Sequence, residues 1–315
     1  MRKPGPPKAP RQSGQAVGIV ELDRFSTATL NQWKALSEDL DELHSSLFFG
    51  VLPEQRRLRS ELISALQQVP PKSVALKNWC RIVTYRYSDA PLSCAGSLQG
   101  VGGRFNAGSD LDPGTLSPWP ALYLAANYET AFREKFQLSR DESVEGLNPF
   151  ELALEPEASH STIILQGQLH RAFDITSPAN LGAVARVLRR IKMPPQARKL
   201  KLRLKSNVSM IQSVNQLFDA VCGHNWRTFP IQFGLPSPSH VLAELIRAAG
   251  FEAVLYRSSK GAGECLAVFP DMMDSASFIE LVDPSPESVR HRRLDVDSAD
   301  ELLGWECVSS NLRPR

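Results

Sequence analysis

The chain is poor in cysteine. Five are spread over 315 residues (Cys80, Cys94, Cys222, Cys265 and Cys307), and no two form a C-x-x-C pair. The odd number and wide spacing argue against a disulfide framework and a zinc site. Scattered single thiols fit small buried hydrophobes in a reducing compartment. No apolar run reaches the roughly 18 residues of a membrane span. No apolar core follows the basic N-terminus (Arg2, Lys3, Lys8, Arg11) as it would in a secretory signal. A cytoplasmic protein is expected. The net charge is only +2, so the chain as a whole does not demand a polyanionic partner. A dinucleotide fingerprint is also missing: Gly100-Val101-Gly102-Gly103 lacks the G-x-G-x-x-G spacing, and no helix pattern follows it.

What is present suffices for a large core. Hydrophobic residues make up 42% and charged residues 22%, and the length suits two domains or one core with additions. Residues 1–18, with four prolines among basic and small residues, read as a disordered tail. Residues 19–75 read as a helical extension. Leu30, Trp33, Leu36, Leu40, Leu43 and Leu47 recur at helical spacing, as do Leu58, Leu62, Ile63 and Leu66, with Pro53 expected to separate two segments. Residues 76–285 read as the main domain and 286–315 as a C-terminal tail. Strands are expected at 79–87, 121–124, 161–169, 251–256 and 265–269. Helices are expected from Asn127 to about Leu138, from Ser177 onward, and from a Ser239 cap to Gly250. Strands separated by unlike insertions, without regular βαβ alternation, give an α+β fold.

Several residues invite a chemical reading beside a structural one. Arg104, at the end of the Gly-rich loop, is either a solvated turn residue or a bidentate grip on a pyrophosphate. Tyr123, on a short apolar strand, is either a core aromatic or a ring that stacks on a flat base. Glu134 falls off the apolar stripe of its helix, so it is either solvated or a site carboxylate. Cys222-Gly223-His224 is a weak signal for a nucleophilic thiol, because catalytic Cys and His are usually joined by folding rather than by adjacency. From Arg186 to Lys205 there are nine basic residues and no acidic one. Lys199, Lys201, Arg203 and Lys205 alternate with leucines, which predicts a strand with four charges on one face inside a basic insertion at about 186–230. That face suits either solvent or a docking surface for nucleic acid or an acidic partner.

The order of these residues is more telling than any one of them. Arg81, then Gly-Gly-Arg104-Phe-Asn, then Leu-Tyr123-Leu-Ala, then Glu134 eleven residues on, then Tyr-x-Ser258, resembles the RES-domain family over about residues 79–270. Phe173-Asp174-Ile175-Thr176 and the helix-Gly-strand run from Leu242 to Tyr256 share the likeness. The resemblance implies a split-sheet fold like the ADP-ribosyltransferases and diphtheria toxin. It implies an enzyme that breaks down NAD⁺ as a substrate, without metal or cofactor, by glycohydrolysis or phosphorolysis. It also implies a toxin partnered by an Xre-type helix-turn-helix antitoxin. Carried over, Glu134 and Ser258 are the catalytic residues, and Arg81, Arg104 and Tyr123 bind substrate. Arg86 competes with Arg81, and Ser259 with Ser258. The alternatives are ADP-ribosyl transfer to a macromolecule, or a non-catalytic protein that binds through its basic segment.

Overall fold

The computed structural model describes residues 27–111, 116–138, 159–223, 225–284 and 286–304. The expected tail at 1–18 lies outside them. Helix α1, Thr27–Gln67, runs for 41 residues straight through Pro53, which corrects the expected break. A proline inside a helix costs about 3 kcal/mol. The buried stripe continues on both sides of it through Leu43, Val51, Leu58, Leu62 and Leu66, and each such burial contributes roughly 1.5–3 kcal/mol. Packing therefore outweighs the lost hydrogen bond.

Strand β1, Lys72–Thr84, follows Pro70-Pro71. The Gly-rich segment folds as a two-stranded hairpin, β2 (Gly102–Gly103) and β3 (Asn106–Ala107). Next come β4 (Leu122–Ala125) and helix α2 (Tyr128–Phe136), whose first turn is capped by the Asn127 side chain. After the long β5 (His160–Asp174) come helices α3 (Gly182–Leu188), α4 (Pro195–Leu204) and α5 (Val214–Phe218), a π-turn at Asp219–Gly223, α6 (Thr228–Phe233) and α7 (Pro238–Ala248). Strands β6 (Ala253–Arg257), β7 (Glu264–Val268), β8 (Phe278–Leu281) and β9 (Arg293–Leu294) and helix α8 (Ala299–Leu303) complete the described chain.

The main sheet has the order β1-β4-β7-β6-β5-β8-β9. Among the described strands, only β5 and β6 pair in parallel. Cys80 of β1 pairs with Ala125 of β4 and also with Ile164 of β5. Five strands therefore close on one another, and β8 and β9 extend from the closed set. One core, including Leu62, Phe105, Phe173, Ile246 and Tyr256, joins the sheet to α1, α3 and α7. A second, including Leu76, Trp79, Leu92, Leu122 and Leu266, fills the other side. This is an α+β fold.

The basic segment is the main departure from expectation. Residues 199–204 are helical, not a strand. Leu200, Leu202 and Leu204 imitate period two, but the buried positions are Ala197 and Leu200, one helical turn apart against Leu43 of α1, while Leu202 is 72% exposed. The four charges consequently do not share one sheet face. Among the described residues, two of the nine cations meet acids of α1, Arg190 with Glu61 and Arg203 with Asp39. A smaller correction concerns α7. Its cap is Ser237, not Ser239: Pro238 takes the first helical position, and Ser237 Oγ accepts the His240 amide (3.3 Å).

Candidate active site

The site is built where the β2–β3 hairpin, α2 and the β6–β7 loop converge. Its centre is Glu134. The Ser258 hydroxyl donates to Glu134 Oε1 at 2.6 Å and accepts from the Lys260 and Gly261 amides at 2.9 and 2.7 Å. One serine thus tightens the β6–β7 loop and orients the carboxylate. The loop lies close on α2: the Gly263 amide donates to Thr130 Oγ1, and a Cβ on Gly261 would come within 2.7 Å of that oxygen. Ser259 points elsewhere, to Arg104. Of the two serines, Ser258 is the one joined to Glu134.

Tyr123 sits under the hairpin. Its hydroxyl donates to Asn106 Oδ1 and accepts from the Phe105 amide, both at 2.9 Å. A Cβ on Gly103 would fall 2.4 Å from that hydroxyl, so glycine is what lets the backbone lie against the ring. Burial pushes the phenol well above the usual tyrosine range, so it stays protonated and can donate. Asn106 had no role in the sequence reading, yet it organises the loop. Its Oδ1 also accepts the Gly103 amide (2.9 Å), and Nδ2 donates to Ser97 O (2.6 Å) and Trp119 O (3.1 Å). A fully buried amide must satisfy its polar atoms in this way. Only its place after Gly-Gly-Arg-Phe hinted at it.

Arg104 is buried rather than solvated. Nη1 donates to the carbonyls of Val221 (3.1 Å) and Cys222 (3.2 Å), and Nη2 to Ser259 Oγ (3.2 Å). It clamps the π-turn to the site. Cys222 is not an activated nucleophile: burial pushes its thiol up to about 11.

Arg81 stands apart. It alternates along β1 with Cys80 and Ile82, which face the core containing Phe105. Its Nη2 donates to Ser93 O at 2.8 Å, and its Nη1 is buried without a partner. Burial lowers its pKa, with the nearby Cys94 opposing. Arg86 lies over the Tyr87 ring, 4.6 Å from its centroid. Among the described residues neither arginine is hydrogen-bonded to Glu134 or Ser258. The structure therefore gathers Arg104, Tyr123, Glu134 and Ser258, and leaves Arg81 on the neighbouring strand.

His240 supports the loop from below. Nδ1 accepts from the Ser237 amide (3.3 Å), which leaves Nε2 to donate to Gly103 O (2.7 Å). Burial, opposed by the bond to Gly103, lowers its pKa from 6.5 to about 4. The folded chain thus refuses a proton that the unfolded chain accepts below about pH 6.5. Stability should be fully present above that pH and fall by up to roughly 3 kcal/mol as pH drops toward 4. Denaturant midpoints of wild type and His240→Gln, measured from pH 7.5 to 4, should converge across this window. Parallel curves would show that His240 titrates normally.

Among the described residues, no group of three or more His, Cys, Asp or Glu side chains is placed to hold a metal ion, and no helix is long and apolar enough to cross a membrane. An α+β chain with a Glu–Ser pair beside a buried arginine and a tyrosine is the class that fold and site define. The RES domain model matches residues 78–297, and the chain belongs to that family. No curated protein matches it. A solved chain from the M. tuberculosis MbcT–MbcA toxin–antitoxin complex is 14% identical, covering 77% of this chain and 97% of that one with a TM-score of 0.39.

Proposed function

We propose that the protein breaks the nicotinamide–ribose bond of NAD⁺. The observation that carries this is the 2.6 Å bond from Ser258 to Glu134, within a family match that spans every member of the cluster. Nicotinamide leaves as a neutral molecule, so no general acid is needed for its departure. Positive charge develops on the ribose, as in glycoside cleavage. Glu134 faces that charge and stabilises it. Ser258 holds one carboxylate oxygen, which leaves the other for a ribose hydroxyl or the incoming nucleophile. The Tyr123 ring stacks against the base, and Arg104 lends positive potential to the diphosphate. Water or phosphate is the acceptor. The fold is read as a relative of the ADP-ribosyltransferases, and the protein as a toxin restrained by an Xre-type antitoxin in the cytoplasm.

Incubating pure protein with NAD⁺, with and without phosphate, tests this directly. Free nicotinamide with ADP-ribose or its 1″-phosphate is the expected product set. Label transferred to protein would instead indicate an ADP-ribosyltransferase. No nicotinamide under any condition would overturn the reading.

A further inference from the structure

We propose that Arg227, in the insertion between β5 and β6, is a substrate-binding residue that grips the diphosphate of the dinucleotide. This rests on the NAD⁺ reading above. Trp226 is 7% exposed and packs its ring edgewise on His240, with centroids 5.4 Å apart. His240 in turn holds Gly103 O at 2.7 Å, and Gly103 lies on the Tyr123 ring. Trp226 is thereby anchored beneath the Gly-rich hairpin, one residue before Arg227. The Arg227 guanidinium sits over that indole, 4.9 Å from its centroid. A guanidinium stacked on an aromatic ring keeps its N–H fork free in the ring plane for a planar or bidentate anion.

Three observations make this cation unusual. It is half-buried and forms no ion pair within 4.0 Å with any carboxylate of the described residues; its hydrogen bonds among them are made by its backbone, the amide to Asn225 Oδ1 and the carbonyl from the Ile231 amide. Burial lowers its pKa, while Glu134 raises it and Arg104 lowers it, with Tyr123 also raising it. The charge is therefore felt at the site itself. Arg104, by contrast, already directs both terminal nitrogens to Val221, Cys222 and Ser259. A half-buried arginine with no direct ion pair is stabilised when an anion arrives. The diphosphate is the part of the dinucleotide that supplies one.

The test uses the full chain, with binding measured by calorimetry and turnover by nicotinamide release. Arg227→Gln should raise the KM for NAD⁺ and weaken ADP-ribose binding by about 10- to 100-fold, the usual scale for one charge-assisted contact. Its kcat should stay within about threefold. Nicotinamide riboside, which carries no phosphate, should lose nothing. Arg227→Lys should recover part of the ADP-ribose affinity, and raising the salt should weaken wild type more than Arg227→Gln. A folded Arg227→Gln protein with unchanged KM and ADP-ribose affinity would overturn the assignment, as would an equal loss for nicotinamide riboside. If wild type releases no nicotinamide, the NAD⁺ reading fails first. ADP-ribose calorimetry on wild type and both variants then still decides whether Arg227 binds the diphosphate.

Discussion

Glu134→Gln is expected to lower the kcat for nicotinamide release by about 10²–10³ while NAD⁺ binding stays near wild type. The substitution keeps the shape and removes the charge. Substrate and transition state differ at the ribose carbon, where positive charge appears only as nicotinamide departs, so an interaction with that charge is spent in the rate rather than in affinity. The structure adds a control. Ser258 reaches Glu134 through Oε1 and also closes its own loop through two amides. Ser258→Ala should therefore reduce kcat less than Glu134→Gln and lower thermal stability more. Calorimetric NAD⁺ affinity and chromatographic nicotinamide release separate binding from chemistry. A folded Glu134→Gln enzyme with undiminished kcat would sink the catalytic assignment.

The largest expected effect on stability lies away from the site, at Glu252. This carboxylate is fully buried just ahead of β6. Oε1 accepts from the His170 amide (2.6 Å), the Arg171 amide (2.8 Å) and Ser277 Oγ (2.9 Å), and Oε2 accepts from the Asp274 amide (2.8 Å). One side chain thus ties β5, the start of β6 and the turn before β8. Glu252→Ala would remove an acceptor from three amides and a hydroxyl, of which the His170 amide keeps Ser277 Oγ at 3.2 Å; each group left unsatisfied costs about 1–3 kcal/mol. Water entering the space would replace some of them, so a loss of roughly 3–5 kcal/mol is expected, with NAD⁺ chemistry retained in the cold. Glu252→Gln should cost less, because its amide nitrogen faces only one of the donor groups. Urea midpoints of the three proteins check this. A midpoint for Glu252→Ala within about 0.5 kcal/mol of wild type would show that the carboxylate is dispensable.

The contrast between Glu134 and Glu252 shows where the sequence was readable. Elements with local grammar were legible: the Asn127 cap, the stop at Gly250 with its φ of +90°, and the strands that became β4, β6 and β7. The order of Arg104, Tyr123 and Glu134 was also legible, because the hairpin, β4 and α2 follow one another closely along the chain. Glu252 was not, since its partners lie across the fold, and Arg227 was not, since nothing local shows that its neighbour Trp226 packs on His240 beneath the hairpin. His170 is 82 residues from Glu252. The π-turn carbonyls that hold Arg104 are 117 and 118 residues from it. Helix α4 was misread for another reason. Alternating leucines satisfy a strand pattern, and only the docking of Ala197 and Leu200 on Leu43 selects the helix. Pro53 was misread in the same sense, because the strength of tertiary packing on α1 has no expression in the residues beside the proline.

The Arg104 clamp joins parts of the chain that lie far apart in sequence. A single guanidinium touches the insertion through two carbonyls and the β6–β7 loop through Ser259. The insertion is therefore fastened to the rest of the site by a residue of the Gly-rich hairpin. Removing that one side chain would take the donors from two carbonyls and a hydroxyl at once. Charge and cohesion at the site are thus vested in the same guanidinium, so a loss at Arg104 would register in folding as well as in binding.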